Sequence, residues 1–122
     1  MLRRAVCLTL VAGLALAVAG CSPSVPSEDP GIRGTITTIT AASDGGSILV
    51  ETPEGGQRFE HDKAMVRITG DTDILRLTDG EAYEEAAFED LAEGQLVDVW
   101  FVGAVAESYP VQGTAGTVLI RE

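Results

Sequence analysis

The sequence predicts a small, mainly β protein: a five-stranded, OB-like barrel with one short helix between its third and fourth strands. Three observations carry this. Beyond residue 31 the chain is rich in β-branched residues at alternating positions, turn residues recur at short intervals, and only one segment has helical composition.

The elements follow in order. Ile32 to Thr40 alternates until its second Thr-Ile pair, where the apolar phase slips by one, so a bulge or bend is expected near Thr37-Thr38. Asp44-Gly45-Gly46 turns the chain into Ser47 to Glu51, giving a hairpin. Pro53-Glu54-Gly55-Gly56 is a second turn. Beyond it, Ala64, Val66 and Ile68 alternate with Lys63, Met65, Arg67 and Thr69, the pattern of a half-buried strand. Another turn at Gly70 to Asp73 precedes a short apolar piece, Ile74 to Leu77. Glu84 to Leu91 holds helix formers, with Ala87, Phe88 and Leu91 on one face, and Gly94 closes it. Gln95 to Val102 is the strongest strand, and Thr114 to Arg121 is the last. Closing such a sheet into a barrel hides edges that an open one would expose.

The N-terminus has another character. Arg3 and Arg4 precede an uncharged stretch from Ala5 to Ala19, the layout of an export signal that is shorter than a membrane span. It ends in Leu16-Ala17-Val18-Ala19-Gly20-Cys21, which resembles the lipobox of bacterial lipoproteins. That resemblance implies cleavage after Gly20 and a lipid anchor on Cys21, with diacylglycerol and further palmitate-type acyl chains holding the protein to a membrane outside the cytoplasm. Two or three chains are needed because one gives only marginal binding. An ordinary secretory signal with a chance cysteine is the competing reading. The domain plan is therefore a signal peptide over 1–20, a lipidated Pro/Ser-rich tether over 21–31, and one barrel domain over 32–122. Fully extended, the tether would lift the barrel about 35 Å from the membrane.

Composition removes several chemistries. Cys7 leaves with the signal and Cys21 is consumed by lipid, so the mature chain has no thiol for a disulfide, a metal or a nucleophilic attack. His61 is the sole histidine, and in its charged turn it is expected to be exposed. No metal or other cofactor is called for. Asp71-x-Asp73, with Asp62 and Asp79 nearby, lacks the spacing of an EF-hand and is expected to be a solvated turn in which Asp71 bonds its own backbone. The mature chain holds six basic against nineteen acidic residues, a formal charge of −13. That charge and the missing basic patch exclude nucleic acid as a partner.

Gly34-x-Ile36-x-x-Ile39, Ile48-Leu49-Val50-Glu51, Asp90-Leu91-x-x-Gly94-Gln95-x-Val97-x-Val99 and above all Ala106-Glu107-Ser108-Tyr109-Pro110-Val111-Gln112-Gly113-Thr114-Ala115 resemble the YobA-like bacterial lipoproteins of bacilli, a domain of unknown function. The resemblance covers residues 32 to 121 and implies a fold and an anchor, but no catalytic residues.

The segment from Glu107 to Gly113 is polar between apolar flanks, and it joins the last two strands. Glu107, Ser108, Tyr109, Pro110 and Gln112, together with Trp100, form the candidate binding surface, since the loop between strands four and five flanks the ligand face of OB-like barrels. Against this stands a plug, in which Tyr109 folds over the barrel end and Glu107 and Gln112 satisfy backbone groups. Trp100 and Phe101 point to opposite faces. Phe101 shares its face with Val97 and Val99, which leaves Trp100 either capped by the helix or offered as a platform. Ser108 has no histidine or lysine near it in sequence to act as its base, so no enzyme activity is expected. The expected function is a membrane-anchored binding or interaction module whose partner is an envelope protein, a peptide or a glycan. The competing reading is a structural or accessory subunit of an envelope assembly with no ligand of its own.

Overall fold

The computed structural model describes residues 23–121. The expected export signal over 1–20 and Cys21, the expected lipid site, lie outside the described residues. Seven strands form one sheet: β1 (Ile32–Ala42), β2 (Gly45–Glu51), β3 (Lys63–Ile68), β4 (Asp73–Leu77), β5 (Tyr83–Glu85), β6 (Leu96–Ala106) and β7 (Val111–Ile120). Strands β3-β2-β1-β6-β7 are neighbours in that order, and a parallel pairing of β3 with β7 closes them into a five-stranded barrel. The expected OB-like barrel is therefore present, with β4 and β5 added along the second half of β7.

Inward-facing aliphatic residues fill the barrel. Ile32, Ile48, Val50, Ala64, Val66, Val97, Val99, Val118 and Ile120 are all completely buried. The phase slip in β1 has the expected cause. The register with β2 shifts between Ile36 and Thr38, so that Ile36 opposes Val50 and Ile39 opposes Ile48. One extra residue there lets the strand bend round the barrel while Ile36 and Ile39 both turn inward.

The β1–β2 turn requires its glycine. Ala42 pairs with Gly45 across Ser43-Asp44, and Gly45 adopts φ +96°. A β-carbon at Gly45 would strike the carbonyl oxygen of Ile68 in β3. Gly45→Ala therefore combines left-handed strain with a backbone clash, and we expect it to cost about 2 kcal/mol or more. A thermal melt reads this directly.

The helix expected over Glu84–Leu91 is replaced by other structure. Tyr83–Glu85 pairs with β4, and only Phe88–Asp90 winds, as a single 3₁₀ turn. Phe88 and Leu91 pack on the core as expected, but Ala86 takes the place expected for Ala87, which is exposed; the segment still covers the barrel. Side chains hold it in place of helical bonds: the Asp90 carboxylate accepts from the Ala87 amide, and the Gln95 side chain bridges the Ala92 amide and the Asp90 carbonyl. The apolar piece Ile74 to Leu77 becomes β4, paired in parallel with β7. Helix propensity in Glu84–Leu91 is weak beside the ladder bonds that β4 offers.

Two further expectations change. The turn at Gly70 to Thr72 is held by Thr69 and Thr72 side chains, and the Asp71 amide donates to Thr69 Oγ1 rather than to its own carboxylate. His61 is not exposed: its ring keeps only 14% of its surface and meets Phe101 edge-on at 5.9 Å.

Outside the barrel lies a second small core. Trp100 (7% exposed), Leu75 and Leu119 pack together, with Val25, Leu77 and Tyr83 around them. Trp100 is thus covered by β4, β5 and the segment that precedes β1, and among the described residues no helix covers it. Its indole N–H donates to the Glu28 carbonyl at 2.8 Å. Pro30 is buried as well, so the stretch expected to be free tether is folded against the barrel from Val25 onward.

Candidate functional site

Alternation along the strands decides what the barrel shows to solvent. On β3 the inward residues are Ala64, Val66 and Ile68, which leaves Lys63, Met65 and Arg67 outside. Ser47 and Leu49 of β2 and Gln112 and Thr114 of β7 flank Met65 and Arg67 in register. This outer face is walled by the β1–β2 hairpin on one side and by the end of β6 on the other. Together they make a groove of about 590 Å³, lined among others by Thr40, Ser47, Met65, Arg67, Ala106 and Gln112.

The groove has an unusual character for so acidic a chain. Small uncharged residues dominate its walls, with Asp44 as its acidic residue. Arg67 donates to Thr114 Oγ1 at 3.4 Å and makes no ion pair among the described residues. Met65 is 37% exposed beside it, and Val102 on β6 and Tyr109 in the following loop are the other large apolar side chains exposed among the described residues. A guanidinium next to apolar surface, in a concave site with hydroxyl and amide groups, can hold an extended partner that carries an anionic or carbonyl group.

The loop from Glu107 to Gly113 borders this groove without forming it. Gln112 lines the groove, and Tyr109, 68% exposed, stands at the tip. The Tyr109 hydroxyl reaches Asp62 Oδ2 at 3.4 Å, and Lys63 Nζ lies 5.6 Å from the ring centroid. The Tyr109–Pro110 peptide is cis, and Ser108 Oγ donates to the Pro110 carbonyl at 2.8 Å, closing the loop on itself. Tyr109 does not plug the barrel end.

Glu107 faces elsewhere. It shares a cleft of about 770 Å³ with Glu28, Asp29, His61, Trp100 and Phe101. The six candidate residues are therefore not gathered into one site. Gln112 belongs to the β2–β3 groove, Glu107 and the rim of Trp100 to the second cleft, and Ser108, Tyr109 and Pro110 to the loop between them. The burial of Trp100 removes it as an exposed platform. Sequence reading missed Met65 and Arg67, although their place in the alternation of β3 was legible and OB-like barrels present this face to ligands.

Asp98 marks a structural centre on the far side of β6. It is 2% exposed and receives Arg33 through two bonds, Nε to Oδ1 and Nη2 to Oδ2, with Arg121 at 3.1 Å. The hydrogen bond from Arg33 to Asp98 raises the Arg33 pKa, burial opposes the rise, and the charge of Asp98 adds to it. Arg33 also donates to Gln57 and lies 5.2 Å from the Phe59 ring. This network ties β1, β6, the C-terminal end and the β2–β3 connection together.

No curated protein and no solved structure matches the chain. A family model described as a protein of unknown function, DUF3221, matches residues 42–121, from the end of β1 to the last residue described. With most of the barrel covered by that match, the chain belongs to the DUF3221 family.

Proposed function

We propose that this chain is the precursor of a bacterial lipoprotein whose barrel binds a partner of the cell envelope, a protein, peptide or glycan, in the groove on the β2–β3 face. The anchoring half of the reading rests on the signal, on the small residues before Cys21 and on the resemblance to YobA-like lipoproteins. The groove carries the binding half: it lies between the β1–β2 hairpin and the end of β6, where OB-like barrels take oligosaccharides and other extended chains. Among the described residues the fold supplies binding groups, and no nucleophile is paired with a base. Ser108 is engaged by its own turn, and we read the protein as a binder and not an enzyme.

The test separates anchor from groove. Labelling cells with a palmitate analogue should mark the wild-type protein and leave Cys21→Ser unmarked. Capture of the lipidated protein with its crosslinked neighbours should survive in wild type and fall at least about tenfold in Arg67→Glu, since a reversed charge in the site costs more than about 1.4 kcal/mol. Unchanged capture in Arg67→Glu would refute the groove. Tyr109→Ala, at an exposed position, should change the unfolding free energy by less than about 0.5 kcal/mol. A larger loss in a denaturant titration would mean that the ring is a structural prop.

A further inference from the structure

The segment between the lipidated cysteine and β1 has the composition of a free tether, yet the barrel holds most of it. Val25 packs into the cluster of Trp100, Leu75 and Leu119. The Glu28 carbonyl accepts the indole N–H of Trp100 at 2.8 Å. Pro30 is buried, and the Gly31 amide donates to the Val99 carbonyl at 2.9 Å, so the segment enters β1 as an extension of the sheet. At its other end, Pro23 and Ser24 lie in a hollow with Thr72, Asp73, Leu75, Glu85 and Ala86. A strap thus crosses the outer face of the barrel from the β3–β4 turn to the cleft that also contains Arg58 and His61.

We propose that this strap turns the β4–β5 side of the barrel toward the membrane and holds it close. The statement about the membrane rests on the anchored reading of Cys21; the strap itself does not. Only Ser22, Pro23 and Ser24 separate Cys21 from Val25. Four residue steps at full extension reach about 14 Å, against about 35 Å if residues 21 to 31 were free. The lipid must therefore enter the bilayer near Thr72, Asp73 and Glu85. The β2–β3 connection, which shares a cleft with the opposite end of the strap, is then held away from the surface. A tether of Pro and Ser alone would impose no such orientation. Val25 and the single tryptophan of the chain supply it.

Trp100 reports the strap, because it is the sole tryptophan, and the mature chain has no free thiol to confuse a site-specific label. The experiment uses the lipidated mature protein, from Cys21 onward, in phosphatidylcholine vesicles with a headgroup acceptor, carrying a donor dye on Asp73→Cys or on Glu54→Cys. Both positions are exposed. Energy transfer should be several-fold stronger from position 73 than from position 54. Val25→Asp should release the strap, shift Trp100 emission to the red, open the segment from Val25 to Pro30 to protease, and largely abolish the difference between the two labels. Equal transfer from both labels in the wild-type background would overturn the orientation. Trp100 emission and protease resistance unchanged in Val25→Asp would overturn the strap. If neither label transfers energy while Val25→Asp still shifts Trp100, the anchor at Cys21 has failed and the orientation with it, but not the strap. Circular dichroism of Val25→Asp guards against global unfolding, and Val25→Ser offers a milder release with the same expected direction.

Discussion

Trp100→Ala lowers the unfolding free energy by about 3 kcal/mol, toward the lower end of the range for removing a buried aromatic residue because its cluster lies outside the main core. For a domain of this size that is a fall of roughly 15 °C in Tm. The indole is 7% exposed and is the largest side chain of the cluster it forms with Leu75 and Leu119, against which Leu77, Tyr83 and Val25 pack. Its loss leaves β4 and β5 without their packing partner and the Glu28 carbonyl without its donor. Trp100→Phe keeps most of the apolar contact and loses the hydrogen bond, so it should cost only about 1 kcal/mol. If both variants cost the same small amount, the second core is not a structural unit.

Asp98→Ala is the other large effect, at about 3 kcal/mol. It leaves Arg33, whose side chain is 21% exposed, facing a hole that its charge cannot tolerate, while Arg121, at 31%, can turn to solvent. Asp98→Leu combined with Arg33→Leu removes both partners and should recover most of that loss, because paired burial of charges is itself costly. The pH response follows from the direction of the Arg33 shift. Its folded pKa is raised above the ordinary arginine value, so its contribution is complete below that ordinary value and is lost only as pH rises through the folded pKa. The stability difference between wild type and Arg33→Leu should therefore stay flat from neutral to mildly alkaline pH. Urea titrations at several pH values check all three variants.

The barrel was legible because alternation and turns are local signals. The phase slip between Ile36 and Ile39 even located the bulge, and Gly45 declared its turn. What the sequence hid was the partner of each segment. Glu84–Leu91 has helical composition, but Tyr83–Glu85 finds its bonds on β4, a pairing that depends on where β7 leaves a free edge. The Pro/Ser-rich stretch reads as a tether because so little of it is apolar, and it takes only Val25, the Glu28 carbonyl and Pro30 to seat it. Arg33 and Asp98 are 65 residues apart and carry no motif. The candidate site shows the same division. The loop from Glu107 to Gly113 drew notice by its polarity, whereas the groove is made of small residues from five strands whose meeting is purely tertiary.

In the proposed function the β2–β3 groove takes up a partner while the protein is anchored. Placing a photoreactive benzoylphenylalanine at Met65 in the groove, or at Glu84 on β5, and irradiating cells that carry the lipidated protein tests it most directly. A discrete adduct is expected from position 65, none from position 84, and the adduct should be lost when Arg67→Glu is added. No adduct at position 65, or the same products from both positions, would contradict it.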